Sequence, residues 1–221
     1  MAKKISLPRR NIVEDRLKDD VKIVLVCEGE LTEPTYFLSY IKEHFRDPRS
    51  VHIEPNKNRN TDIMHLYEKA LKKSSEFKNA AVFIVFDEDG KLSKPTEKAC
   101  LTKVLGYCNL SVISKDKINS IISNRQFELW AILHFEYTTA QLVDLKDRVK
   151  RYFEKYDDNN KIIDYQVIKS NPGSEAAAMK NAQKLREFHN ALGQDAFLTN
   201  PSTNVDMLIK YMQDTLVHRP S

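Results

Sequence analysis

Two near-continuous apolar runs constrain this chain more than anything else in it. Residues 21–27 read Val-Lys-Ile-Val-Leu-Val-Cys, and residues 80–86 read Ala-Ala-Val-Phe-Ile-Val-Phe. They lack the polar alternation of a strand with one wet face, and they are rich in β-branched side chains. Such runs suit strands covered on both faces, as in the parallel sheet of an α/β fold. Each stops abruptly on acid: Glu28-Gly29-Glu30 after the first, Asp87-Glu88-Asp89-Gly90 after the second.

The segments between and beyond these runs supply the helices. The spacing of Tyr36, Phe37, Tyr40, Ile41 and Phe45 predicts a helix from about Glu33, with Pro34 in its first turn. Residues 51–54 read as a short strand ended by Pro55. Residues 62–77 read as a helix with Ile63, Leu66, Tyr67, Ala70 and Leu71 on one face. A helix over 94–108, a short strand over 110–114, a strand over 117–123 and a buried helix over 127–135 complete the alternation. The pattern predicts a small parallel sheet flanked by helices. Three units follow: a basic arm at 1–20, an α/β core at 21–137, and a helical extension at 138–221 packed as a cap on the core. In that extension, 141–156, 175–192 and 204–216 read as charged helices, and 162–169 as an edge strand or an extended link.

Composition removes several classes. No apolar run approaches the roughly 18 residues that span a bilayer, and the basic residues 1–10 lead into no apolar stretch of signal-peptide type. Cys27, Cys100 and Cys108 are odd in number and show no CxxC spacing, so reduced thiols in a cytoplasmic protein are expected. With five glycines in all, the chain has no Gly-rich phosphate loop, and any NTP-driven step falls to a partner. The net charge of +4 is compatible with a nucleic-acid partner without requiring one.

The two acidic strand ends carry the chemistry. Ligands of open α/β sheets gather outside the carboxyl ends of the strands. If the two runs are sheet neighbours, Glu28 and Asp87 converge across one strand spacing, and Asp87 and Asp89 point to one side in extended geometry. Close carboxylates repel one another, and such a set persists most easily around a cation. Oxygen donors without Cys or His nearby select Mg²⁺ or Mn²⁺, ions that serve phosphate chemistry. The plainer reading, a polar turn after a strand, stays open for each segment taken alone. Glu128 stands out as a carboxylate in an otherwise apolar helix, to be explained by a first-turn position, by pairing or by a site role. Asn124 and Arg125, just before that helix, are candidates to bind phosphate. His134 and Trp130 read as packed core residues, and 200–203 as a turn leading into a helix N-cap.

At these residues the chain resembles the Toprim group, with a Glu after the first strand and an Asp-x-Asp after a later one. More specifically it resembles the RloB-like (AbiL-type abortive infection) family. The blocks are Val26-Cys27-Glu28-Gly29-Glu30 with Thr32-Glu33-Pro34 and Tyr36-Phe37; Val85-Phe86-Asp87-Glu88-Asp89; Ser123-Asn124 with Phe127-Glu128-Leu129-Trp130 and Leu133-His134-Phe135; and Asn200-Pro201-Ser202-Thr203-Asn204-Val205. One departure is Arg125-Gln126, where the family often carries Pro-Cys or Pro-Ser. The resemblance implies a Toprim-like fold and a Mg²⁺- or Mn²⁺-dependent nuclease, cutting DNA or RNA in bacterial anti-phage defence. It implies Glu28 as metal ligand or general acid/base, Asp87 and Asp89 as metal ligands, and Glu33 or Glu128 at a second ion. An AAA- or ABC-type ATPase partner and self-association are also expected, with no membrane. The alternative is a non-catalytic sensor or adaptor of a defence complex, which would bind a nucleotide, a phage protein or the ATPase in the same pocket.

Overall fold

Backbone pairing joins the two apolar runs directly. In the computed structural model, which describes residues 18–57, 62–108, 110, 112–141, 145–157, 161–170 and 173–220, β1 (Ile23–Cys27) lies parallel to β3 (Ala81–Asp87), with Cys27 opposite Val85. Parallel β2 (Val51–Glu54) pairs with the other edge of β1, and parallel β4 (Asn119–Asn124) with the other edge of β3. The strand order is β2-β1-β3-β4-β5, where β5 (Ser202–Thr203) runs antiparallel to β4.

The unbroken hydrophobicity of β1 has a direct cause in packing. Ile23, Leu25 and Cys27 enter one apolar cluster, and Val24 and Val26 enter a second on the opposite face. The second face is covered by α2 (Ile63–Glu76) and α3 (Pro95–Tyr107). Asp62 caps α2 by accepting the Met64 N–H at 2.9 Å, and Pro95 opens α3 without losing a hydrogen bond. The first face is covered by α1 (Thr32–His44), α4 (Glu128–Leu133), α7 (Glu175–Ala191) and α8 (Val205–Thr215). Leu25 is fully buried between these layers, so Leu25→Ala is expected to cost about 2–5 kcal/mol. The C-terminal helices thus share one continuous apolar cluster with β1 and α1. Among the described residues, no helix is long and apolar enough to cross a membrane.

Several elements differ from the sequence expectation. The single helix expected over 141–156 reduces, among the described residues, to α5 (Lys146–Lys150). Leu145, Val149, Phe153 and Tyr156 still face the core, but Tyr152 leaves the helical path to stack on Phe135 at 4.1 Å, and Tyr156 reaches Glu128. Residues 162–169 are neither edge strand nor extended link. They feed α6 (Tyr165–Ser170), started by Asp164, whose carboxylate accepts the Gln166 N–H at 2.9 Å. The residues of 110–114 that are described form no strand; 109 and 111 lie outside the described set, as do residues 1–17 of the expected basic arm. Ser202 and Thr203, expected in a turn and cap, pair with Asn124 and Ser123 as β5, which makes the sheet mixed rather than purely parallel.

Candidate functional site

The carboxyl ends of β1 and β3 are stitched together by the site's own side chains. Glu28 donates its N–H to the Val85 carbonyl at 2.8 Å, and its Oε2 accepts the Asp87 N–H at 2.8 Å. Its Oε1 accepts from the Lys91 ammonium at 2.9 Å. Burial raises the Glu28 carboxyl above its ordinary range, against the opposing pull of Lys91 and the Asp87 N–H.

The Asp-Glu-Asp-Gly-Lys sequence after β3 is a built turn. Glu88 points away from the cavity and is buried, its Oε1 accepting the Leu92 N–H at 2.7 Å and its Oε2 the Gly90 N–H at 2.9 Å. Gly90 has φ +80°, a conformation that costs glycine little and an L side chain much. The extended geometry expected to align Asp87 with Asp89 ends at Asp87, and Asp89 takes φ 38°. Both still line one cavity, but by different routes. Asp87 lies at the inner wall with Oδ1 shut off from solvent and without a hydrogen-bond partner. Asp89 is half exposed at the rim, 3.9 Å from the Arg125 guanidinium and 3.4 Å from the Gln126 amide.

Two further acids close the cavity. Glu33 in the first turn of α1 is buried and folds back so that Oε1 accepts the Gly29 N–H at 3.1 Å. A Cβ at position 29 would stand 2.1 Å from Glu33 Oε2, so this approach requires glycine there. Glu128 opens α4, is 5% exposed, and accepts a hydrogen bond from the Tyr156 hydroxyl. Burial pushes the Glu33 carboxyl up to about 7, with the charges of Glu128 and Glu28 adding to the shift. Burial raises Asp87 well above the carboxylate range, and Glu33, Glu128 and Glu28 raise it further. These groups therefore raise one another, and the Lys91 charge beside Glu28 and Asp87 offsets only part of the shift.

Together they line a cavity of about 290 Å³ bounded by Glu28, Glu30, Glu33, Asp87, Asp89 and Glu128, with Gln126 and Lys161 at its edge. The lining presents only oxygen among strong donors, and the orphaned Asp87 Oδ1 faces five other carboxylates; this chemistry fits a hard divalent cation. Among the described residues, no three His, Cys, Asp or Glu side chains converge as a ready metal cage. Three of the acids turn toward a protein donor instead: Glu28 to Lys91, Glu33 to Gly29 and Glu128 to Tyr156.

The structure thus brings Glu28, Glu33, Asp87, Asp89 and Glu128 into one cavity. Asn124, expected to bind substrate, does not line it: its amide donates to the Leu198 carbonyl at 2.5 Å. Arg125 stands at the rim beside Asp89. His134 is buried in an aromatic cluster with Tyr36, Trp130 and Tyr165, and burial lowers it to about 4. Sequence reasoning missed Lys91, Lys161, Gln126 and Tyr156. Lys91 follows the Asp-x-Asp-Gly turn directly and had a local signal; Tyr156 lies 28 residues from Glu128 and had none.

A family model described as RloB-like protein matches residues 23–212. No curated protein and no solved structure matches the chain.

Proposed function

From the premise that the chain belongs to the RloB-like family, we propose that it is a divalent-metal-dependent phosphodiesterase that cleaves DNA or RNA, a Toprim-like nuclease. The observation that carries this reading is the orphaned Asp87 Oδ1, shut off from solvent in a cavity lined by five other carboxylates, where burial also raises Glu28 and Glu33. Asp87, Glu33 and Glu128 would hold Mg²⁺ or Mn²⁺ on the inner wall, with Asp89 at the rim. When bound, the ion would polarise a phosphoryl oxygen and neutralise charge that develops there. Glu28, fixed between Lys91 and the Asp87 N–H at the cavity wall, would take a proton from an attacking water or return one to a leaving oxygen. Arg125 and Lys161, at the rim and edge, would meet the phosphate backbone. The resemblance adds a setting: bacterial anti-phage defence in the cytoplasm, with an ATPase partner supplying any NTP-driven step.

A second reading, a non-catalytic sensor or adaptor, draws on the lack of a ready cage among the described residues. One experiment separates the two. Purified protein is incubated with single- and double-stranded DNA and RNA in Mn²⁺ or Mg²⁺, beside Asp87→Ala. Metal-dependent cleavage that vanishes in the variant is expected; cleavage unchanged in Asp87→Ala, or none under any metal, contradicts the nuclease.

A further inference from the structure

We propose that Lys91 stands in for a second divalent ion, so that the site works with one metal ion per chain; this rests on the metal-site reading above. Both oxygens of Glu28 are already occupied by donors from the β3 end. Oε2 takes the Asp87 N–H at 2.8 Å, and Oε1 takes the Lys91 ammonium at 2.9 Å. The same Nζ donates to the Asp87 carbonyl at 2.6 Å, so the ammonium bridges the two strand ends at the point where Glu28 would offer an oxygen to a cation. The Lys91 and Glu28 side chains are each 9% exposed, which keeps water from competing for the pair.

Lys91 does not reach this place by chance rotation of a surface side chain. Its N–H donates to the Glu88 carbonyl at 2.7 Å, and Glu88 pins the turn on either side of it through Gly90 and Leu92. Gly90 supplies the positive φ, and Leu92 packs against the apolar cluster beneath. The turn therefore sets the reach of Lys91 before any ligand arrives. Asp87, Glu33 and Glu128 differ. They have one backbone N–H and one hydroxyl among their side chains, and Asp87 Oδ1 has nothing.

The consequence is a division of labour by charge. A divalent ion on Glu28 Oε1 would have to displace the ammonium or sit against it, and like charges at that separation repel strongly where water is excluded. The inner-wall acids carry no ammonium on their carboxylate oxygens, and the Lys91 charge offsets only part of the repulsion at Asp87. Lys91 is thus a positioning residue: it fixes Glu28 and supplies the positive charge on that side. Two of its three N–H groups are used in these bonds.

The test counts ions rather than turnovers. Mn²⁺ bound per chain is measured by equilibrium dialysis with electron paramagnetic resonance of the free ion. Wild type, Lys91→Arg, Lys91→Met and Asp87→Asn are compared, each checked for folding by thermal melting. One ion is expected in wild type and in Lys91→Arg, none in Asp87→Asn, and a second, weaker ion in Lys91→Met. Two ions in wild type, both lost in Asp87→Asn, would overturn the proposal, as would a count of one in folded Lys91→Met. No ion in wild type would instead remove the metal-site reading on which it rests. Should Lys91→Met not fold, the counts in wild type and Lys91→Arg decide.

Discussion

The chain buries charge in two places and treats it in opposite ways. Where α7 meets β5 and α8, Arg186 grips Asp206 with two hydrogen bonds of 2.7 and 2.6 Å and also donates to the Thr203 carbonyl. Next to it, the Asn204 amide ties down three backbone groups of the 110–122 region, and His189 bonds Gln194 and the Pro201 carbonyl. Every one of these polar side chains has a partner inside the protein. At the β1 and β3 ends, Asp87 has an oxygen with none, and Glu33 is pushed up to about 7. The first corner is closed and structural. The second keeps an electrostatic debt that a bound cation can relieve, and that difference separates a buried ion pair from a candidate site.

The sharpest way to break the comparison is to neutralise Asp87. Asp87→Asn is expected to reduce metal-dependent hydrolysis by about 10³-fold while raising the melting temperature, because a carboxyl whose ionised form the folded site disfavours is replaced by a neutral amide. A variant that loses activity and stability together would place Asp87 in the structural class instead.

At the closed corner the signs reverse. Arg186→Ala leaves Asp206 without its partner and is expected to cost about 3 kcal/mol in urea unfolding. Mn²⁺ should recover none of that loss, and recovery would mean that the corner also binds cations.

The next effect is in pH. Glu33 holds its proton more tightly folded, near 7, than its ordinary value of 4.5, so the folded state binds more protons across that window. Stability of the metal-free protein should therefore fall as pH rises from about 4.5 to about 7, by up to roughly 3 kcal/mol from this group. Glu33→Gln should flatten that slope in thermal melts across the same range. Mn²⁺ affinity should move oppositely, strengthening as Glu33 loses its proton.

The smallest effect concerns Tyr156. Tyr156→Phe removes the donor to buried Glu128 and is expected to cost about 1 kcal/mol in the metal-free protein. In contrast to Arg186→Ala, added Mn²⁺ should recover the loss. A deficit unchanged by Mn²⁺ would separate Glu128 from the metal.

The legible parts of this molecule are those written in local pattern. The runs 21–27 and 80–86 revealed two strands covered on both faces, and their acidic ends converge as expected for sheet neighbours, a pairing that the backbone register supplies. What stayed hidden depends on partners far away in sequence. Tyr152 stacks on Phe135 and Tyr156 reaches Glu128, and these contacts replace the latter part of a helix that periodicity alone favours. β5 has two residues, too few for any period, and exists because Ser123 and Asn124 offer it an edge. Asn124 looked like a phosphate ligand because it precedes a helix, yet its amide serves Leu198. Glu88 lies between two site acids in sequence, but its carboxylate holds the turn that presents Lys91.

The most direct test of the central claim is diffraction from a crystal soaked in millimolar Mn²⁺, recorded at the manganese edge. An anomalous peak within coordination distance of Asp87 Oδ1, on the inner wall with Glu33 and Glu128, is the predicted result. An empty inner wall in the presence of that metal would contradict it.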